Sequence, residues 1–398
     1  MLLVTGGNLV LPDRVLEEAT LVVEAAQIAA VQERSPKKST PGDRLDARGC
    51  FVVPGFIDVH VHGVDGHDVL DGGAALTTIA ARMPRFGVTA FCPTTVACSP
   101  DALRDVLTQV RLCRAAPPPG ARVLGAHLES NFINPAMCGA QPVEHLRLPP
   151  SPDAVPDVGF TAADVLDVIA GHRDEVAIVT VAPELPGGIE LVTLLAEAGH
   201  RVSLGHSSAD FATAHAAFDA GARHATHLFN RMPPMSHRAP GLVGAVLSRD
   251  DVTAELICDG YHVHPAVMRL AIAAKTPAGI VAISDGTAGA GLPVGACARL
   301  GGRSIRVGER AAFLDDGTLA GSTLTMDGAF RQLLTLSRDG LVDAATMCAT
   351  SPARALGLDK HGIIAPGAAA DFVVLDQEMA VKYTCIAGVI VYARDSGA

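Results

Sequence analysis

The stretch "GFIDVHVHG", residues 55–63, follows Pro54 at the end of an apolar run and sets two histidines, His60 and His62, one residue apart. On an extended strand, side chains at i and i+2 share a face. Two imidazoles side by side form either a paired metal grip or a pair of ordinary polar residues at a strand end. The stretch alone leaves both readings open, and its surroundings decide between them.

Outward from it, short apolar segments alternate with helix-like ones. The strand candidates are "FVVPGFIDVHVH", "GVTAFCPTT", "RVLGAHLE", "EVAIVTVAPE", "RVSLGH", "HATHLFN", "VTAELICDG" and "GIVAISDG". Many are nearly continuous apolar runs, as in a parallel sheet buried on both faces. Helical stretches such as "DALRDVLTQVRLCRAA" and "IELVTLLAEAG" separate several of them. Eight such units predict an α/β fold, a TIM-like (β/α)8 barrel over residues 54–362 with its chemistry at the C-terminal ends of the strands. Residues 1–53 and 363–398 are β-rich and punctuated by Gly, Pro and Asp, and neither end has enough strands for a core of its own. The two ends are therefore expected to pair into one small β-sandwich domain. "AAPPPGA" and "RLPPSPDAVPD" read as loops.

Composition bounds the function. Of 398 residues, 49% are hydrophobic and 4% aromatic with no Trp, so a large core must be aliphatic. No apolar run approaches the ~18 residues of a membrane span, and "MLLVTGGNLVLPDR" lacks the basic and apolar regions of a signal peptide. Nine scattered cysteines without a C-x-x-C pair point to reduced thiols and a cytoplasmic protein. A net charge of −11 with no Lys/Arg-rich stretch argues against nucleic acid as a partner.

The ends of the predicted strands carry a biased set: His60 and His62 on the first, Glu129 on the third, His206 on the fifth, His227 on the sixth and Asp285 on the eighth. Imidazole and carboxylate are the usual ligands of a hydrolytic divalent ion. One such residue is readily a satisfied core group; six at one rim form a cage. His127 lies on the same face as Glu129 but deeper. His145, His172, His200, His215, His224 and His361 fall in predicted helices or loops and read as surface or core residues, and Cys138 reads as a free thiol.

"PGFIDVHVHG", followed far downstream by "GIIAPGAAADFVVLD", resembles the amidohydrolase superfamily. More narrowly, "GAHLE", "LGHSSA", "ATHLFNRMPPMSHRAPG", "DGYHV", "ISDG" and "LAGSTLTM", in that order, resemble the N-acetylglucosamine-6-phosphate deacetylases over nearly the whole chain. The resemblance implies a main metal site of Glu129, His206 and His227, with His60 and His62 helping to hold a second ion and Asp285 as the catalytic aspartate. It implies sugar-phosphate contacts from Asn230, Arg231, Arg238 and His262, with Arg238 and His262 reaching across from the partner subunit of a homodimer. Ala140, Gln141, Asp259, Leu319, Ala320 and Gly321 match further substrate-contacting segments.

Two departures stand out. The family usually reads Glu-Gly-Pro after strand three, whereas this chain has Glu129-Ser130-Asn131; and Gln141 stands where the family usually has a His contacting the substrate carbonyl. A Gln amide can donate to a developing oxyanion but carries no charge, so either a second metal compensates or the substrate differs. The expectation is hydrolysis of the N-acetyl amide of N-acetylglucosamine 6-phosphate, using one or two divalent ions, Zn or Fe. N-acetylgalactosamine 6-phosphate stays open as a substrate. A cyclic amide fits less well, since no Lys falls at a predicted strand end to bridge two ions, and a metal-free scaffold fits poorly with a full ligand set.

Overall fold

The computed structural model describes residues 1–33, 41–150 and 159–394. Residues 151–158 of the proline-rich loop and the last four residues of the C-terminal segment lie outside the described residues. The expected barrel is present, and its eight strands run in the predicted order: Phe56–Val61, Val88–Thr95, Arg122–Val123 continued by Ala126–Leu128, Val176–Val181, Arg201–Leu204, His224–Ala225, Thr253–Ile257 and Ile280–Ile283. Neighbours pair in parallel throughout. The ring closes where Val61 bridges Gly286, the His62 amide donates to the Gly286 carbonyl at 2.8 Å, and the Asp285 amide donates to the His60 carbonyl at 2.9 Å. Beneath this seam the buried Asp58 carboxylate accepts from the Ser284 hydroxyl at 2.5 Å and from the amides of His60 and Ser284.

The intervening helices follow from local signals. In Pro100–Ala115, Ser99 accepts from the Ala102 amide, a proline opens the first turn, and Leu103, Val106, Leu107 and Val110 recur on one buried face. Inside the ring, Ile57, Val59, Ala90, Cys92, Ile178, Ile257, Val281 and Ile283 pack into an aliphatic layer. This is the core that a chain without Trp must build.

The chain ends pair as expected. Val389–Ala393, Val381–Ile386, Phe372–Leu375, Phe51–Pro54, Leu2–Val10, Val15–Glu24 and Gln27–Gln32 follow one another in a single sheet, with Asp43–Asp46 alongside Leu2–Val10. N- and C-terminal segments meet where Val52 pairs with Val374. Leu9, Leu21, Val52, Phe372 and Val374 supply this sheet's core. Asp371 ties sheet to barrel: it is buried, receives both Nη groups of Arg122 and accepts the Ala387 amide at 2.7 Å. Asp371→Ala leaves that guanidinium and amide without their acceptor and is expected to lower the unfolding free energy by about 1–3 kcal/mol. Chemical denaturation of the two proteins checks this, with bound metal unchanged in the folded variant.

One element was not expected. Between the eighth strand and the helix Met326–Leu334 stands a four-stranded antiparallel sheet of Cys297–Leu300, Arg303–Val307, Ala311–Leu314 and Leu319–Ser322. Its first hairpin turns on Gly301-Gly302, both at positive φ, a two-residue turn signal present in the sequence. The sheet leans over the C-terminal mouth of the barrel, and Leu300, Leu319 and Gly321 reach the cavity there.

Candidate metal centre and active site

The barrel geometry delivers the predicted side chains to one mouth. Glu129 directly follows the third strand, and His206, His227 and Asp285 each stand two residues past the fifth, sixth and eighth strands. His60 lies within the first strand and His62 just beyond it. All six are buried. The backbone at His206, His227 and Asp285 turns left-handed, with φ of 46°, 28° and 47°, and Phe229 and Arg231 do the same. Each such non-glycine residue costs of order 1–3 kcal/mol, and the surrounding packing must hold it there.

Two groups of ligand atoms result. Glu129 Oε1 lies 2.7 Å from His206 Nε2 and 2.8 Å from His227 Nε2, and those two nitrogens are 3.0 Å apart. His60 Nε2, His62 Nε2 and Asp285 Oδ1 form the second group, at 3.3–3.4 Å from one another. Glu129 touches both, with Oε2 3.5 Å from His62 Nε2 and Oε1 3.8 Å from His60 Nε2.

The donor chemistry fits a cation. His206 Nδ1 faces the Met137 carbonyl at 2.8 Å and His62 Nδ1 faces the Thr94 carbonyl at 3.2 Å. A carbonyl only accepts, so both Nδ1 atoms carry hydrogen, which leaves Nε2 as the ligand atom each ring sets beside the carboxylate oxygens. Acceptors so placed call for positive charge between them. At His60, burial opposes charging the ring, yet Glu255, Asp285 and Glu129 outweigh it and push the pKa up to about 10. Burial likewise works to raise Glu129 and Asp285, but the surrounding histidines hold both below the usual carboxylate range, His206 foremost for Glu129 and His62 for Asp285. Imidazole and carboxylate donors in these two groups suit a divalent metal ion.

A supporting layer lies deeper. Glu255, fully buried on the seventh strand, accepts from His60 Nδ1 at 2.9 Å, lies 3.0 Å from His224 Nε2, and accepts the His227 amide at 3.1 Å. His127 sits below Glu129 as expected, hydrogen-bonded to Thr180 at 2.9 Å and the Val59 carbonyl at 3.1 Å. His224 corrects the expectation of a helix or loop residue: it opens the run "HATHLFN" that reads as the sixth strand, and there it stands against Glu255. Glu255 was not singled out, although a carboxylate inside the apolar run "AELIC" is the signal that would have found it. Such partners behind metal-ligating imidazoles fix their tautomer and orientation.

Above the ligand groups opens a cavity of about 390 Å³ lined by His62, Glu129, Ala140, Gln141, His206, His227, Asn230, Arg231, His262, Asp285, Leu319 and Gly321. Ala320 does not line it; its side chain is buried among Val96, Leu300 and Ile305. Arg238 also lies outside it, exposed beside His237. His262 departs from the expectation of serving a neighbouring subunit, since it faces the cavity of its own chain. Asp259 holds it there, accepting the Tyr261 and His262 amides at 2.8 Å and the His262 ring at 2.5 Å. Burial opposes a charge on His262, and Asp259 outweighs it, raising the pKa. Arg231 packs on Gly139, whose φ of 61° favours glycine and where an added Cβ would come within 2.4 Å of Arg231 Nε and displace the guanidinium.

Gln141 takes a different posture from the one expected. Its amide nitrogen donates to Glu129 Oε2, and its oxygen accepts the Ala97 amide at 2.8 Å. The Ser130-Asn131 departure serves the same loop: Asn131 donates to the carbonyls of Cys98 at 2.8 Å and His145 at 2.7 Å, tying the segments after the second and third strands together around Gln141.

Comparison with known proteins agrees with this geometry. Residues 51–391 match the amidohydrolase family. The N-acetylglucosamine-6-phosphate deacetylase of Bos taurus is 37% identical, covering 97% of this chain and 93% of that protein. An N-acetylgalactosamine-6-phosphate deacetylase of Escherichia coli O157:H7 is 36% identical over 85% of this chain and 87% of that protein. A mutant N-acetyl-D-glucosamine-6-phosphate deacetylase from Mycobacterium smegmatis, solved with N-acetyl-D-glucosamine-6-phosphate, superposes with a TM-score of 0.87 at 31% identity, over 98% of this chain and 99% of that one. With its barrel, its rim of imidazoles and carboxylates and these relatives, the chain belongs to the amidohydrolase family and, within it, to the N-acetylglucosamine-6-phosphate deacetylases.

Proposed function

We propose that this protein hydrolyses the N-acetyl amide of N-acetylglucosamine 6-phosphate to glucosamine 6-phosphate and acetate. The observation that carries the reading is Glu129, which joins two imidazole-bearing ligand groups at the floor of a cavity whose wall bears Arg231 and His262. A divalent cation held by these groups supplies Lewis acidity, which makes water nucleophilic near neutral pH and polarises the amide carbonyl.

The chain's own residues do the rest. Glu129, His206 and His227 hold one ion, Zn or Fe, and His60, His62 and Asp285 with Glu129 offer room for a second. Asp285 accepts the proton of the attacking water on its carboxylate and returns it to the departing nitrogen, which must leave as an amine. Arg231, a planar fork suited to phosphate, and His262 bind the 6-phosphate, with Asn230 beside them. Gln141 orients Glu129 with one amide hydrogen and keeps the other for the substrate carbonyl. Arg238, exposed and outside its own cavity, is placed to serve a second subunit of a homodimer, and reduced, scattered cysteines suit a cytoplasmic enzyme.

Acetate release from phosphorylated and unphosphorylated N-acetylglucosamine and N-acetylgalactosamine tests the reading. The phosphorylated gluco epimer is expected to give the highest kcat/KM, and a higher value for the galacto epimer would reassign the substrate. Arg231→Ala is expected to raise KM for the phosphorylated sugar by roughly tenfold to a hundredfold, one to two charge-assisted bonds' worth, and to leave the unphosphorylated sugar unaffected. Equal changes for both sugars would remove Arg231 from phosphate recognition.

A further inference from the structure

At the opposite, N-terminal mouth of the barrel lies a second cavity, of about 480 Å³, bounded by the starts of the third to fifth strands and roofed by Ala355, Leu356 and Leu358. We infer that this cavity binds a small phosphoryl-bearing anion through Arg114, Arg201 and Arg223. The inference is independent of the substrate proposed above.

Charge is the first reason. The chain has 42 acidic residues against 31 Lys and Arg, yet this lining holds three arginines and His200 against a single carboxylate, Asp174. Two neighbouring arginines outside the cavity are matched. Arg111 forks onto Glu175 at 2.9–3.0 Å, and Arg249 meets both Asp219 and Asp251 at 2.7–2.8 Å. The cavity arginines spend their hydrogens differently. Arg201 donates to the Arg223 carbonyl at 3.3 Å, the Thr253 hydroxyl at 3.1 Å and His224 Nδ1 at 3.5 Å, and among the described residues it has no carboxylate partner. Arg223 donates to the Phe218 and Ala222 carbonyls at 2.5 and 2.7 Å and makes only a long ion pair, 3.8 Å, with an Asp251 that Arg249 already holds at 2.8 Å. Arg114 donates to the backbone carbonyl of Asp174.

Carbonyl and hydroxyl partners satisfy N–H groups without cancelling charge, so Arg201 remains a largely buried cation beside Arg223, with the exposed Arg114 on the rim of the same cavity. Uncompensated charge in such a place is costly. Burial, with the nearby Arg223 charge, pulls the Arg201 pKa down to about 10, so it stays protonated at neutral pH. A dianion answers three guanidiniums, and phosphate oxygens match their forked geometry. The volume falls within the range of small-ligand sites and has room for more than a bare ion. Inorganic phosphate and a sugar phosphate share this chemistry.

Titration calorimetry on the metal-loaded protein tests the inference, using inorganic phosphate and glucosamine 6-phosphate at constant ionic strength. Arg231→Ala is the background, because it weakens phosphate binding at the other mouth, and the Met variants then identify which heat belongs to this cavity. One site per chain is expected that Arg201→Met or Arg223→Met, added to this background, weakens by roughly tenfold or more. If glucosamine 6-phosphate binds that background more tightly than phosphate, the ligand is a sugar phosphate; equal affinity assigns the bare ion. No heat from either probe, or heat that both Met variants leave unchanged, overturns the inference. Because Arg201 touches His224, which touches Glu255, melting temperature and metal content of each variant are recorded. Arg223→Met, whose side chain meets the Phe218 and Ala222 carbonyls and Asp251 rather than His224 or Glu255, supplies the decisive comparison if Arg201→Met loses metal.

Discussion

Asp285→Asn is expected to lower kcat by roughly 10³-fold or more while the protein stays folded and metal-loaded. The substitution keeps size and shape but removes the acceptor that takes the proton of water. It also removes the group that hands that proton to the leaving nitrogen, so both halves of the transfer fail together. Metal should be retained because Glu129, His206 and His227 converge at 2.7–3.0 Å without help from Asp285. Steady-state rates alongside elemental analysis decide the matter. A variant within tenfold of the parent rate would take Asp285 out of proton transfer, and one that has lost all its metal would make it a ligand first.

The second large effect is expected at Glu129. Its two oxygens serve different ligand groups, Oε1 toward His206 and His227 and Oε2 toward His62. Glu129→Gln takes a negative charge from both at once and sets an amide nitrogen against the donating amide of Gln141. Metal affinity should fall by more than the 10–100-fold seen when partners behind the ligands are lost, and activity should fall with it. Chelator competition reads the affinity directly. The contrast with Asp285→Asn is the informative part: one variant is inactive with metal, the other inactive for want of it. If Glu129→Gln kept a full complement, the idea that it joins the two groups would fail.

How much of this was legible in the sequence depended on where each residue falls in the repeat. A parallel barrel sends whatever follows each strand to one rim, so His60, His62, Glu129, His206, His227 and Asp285 could be gathered from eight apolar runs without knowing a single distance. His224 is not gathered the same way, because it stands at the start of the run "HATHLFN" and a rule that looks past each strand's end picks out His227 instead. Glu255 hid in an apolar run, where periodicity says "buried" and is silent on what a buried carboxylate is for. The posture of Gln141 and the direction of His262 depend on loops, whose paths are fixed by side-chain bonds such as those of Asn131 and Asp259 rather than by any periodic pattern. The four-stranded sheet over the mouth went unread because its strands are only four or five residues long, too short for a clear alternation.

The pairing of the two chain ends has a consequence for how the protein is made. Phe372–Leu375 lies inside the terminal sheet, flanked by Phe51–Pro54 on one side and Val381–Ile386 on the other. On the ribosome, Phe51–Pro54 emerges some three hundred residues before the strand that will cover it. For most of synthesis, then, the nascent chain carries a bare, apolar sheet edge directly joined to the strand that bears His60. A message cut short before codon 371 would yield a chain that keeps every rim residue yet exposes that edge permanently, and such a product should be captured by chaperones or degraded rather than accumulate as a weak enzyme.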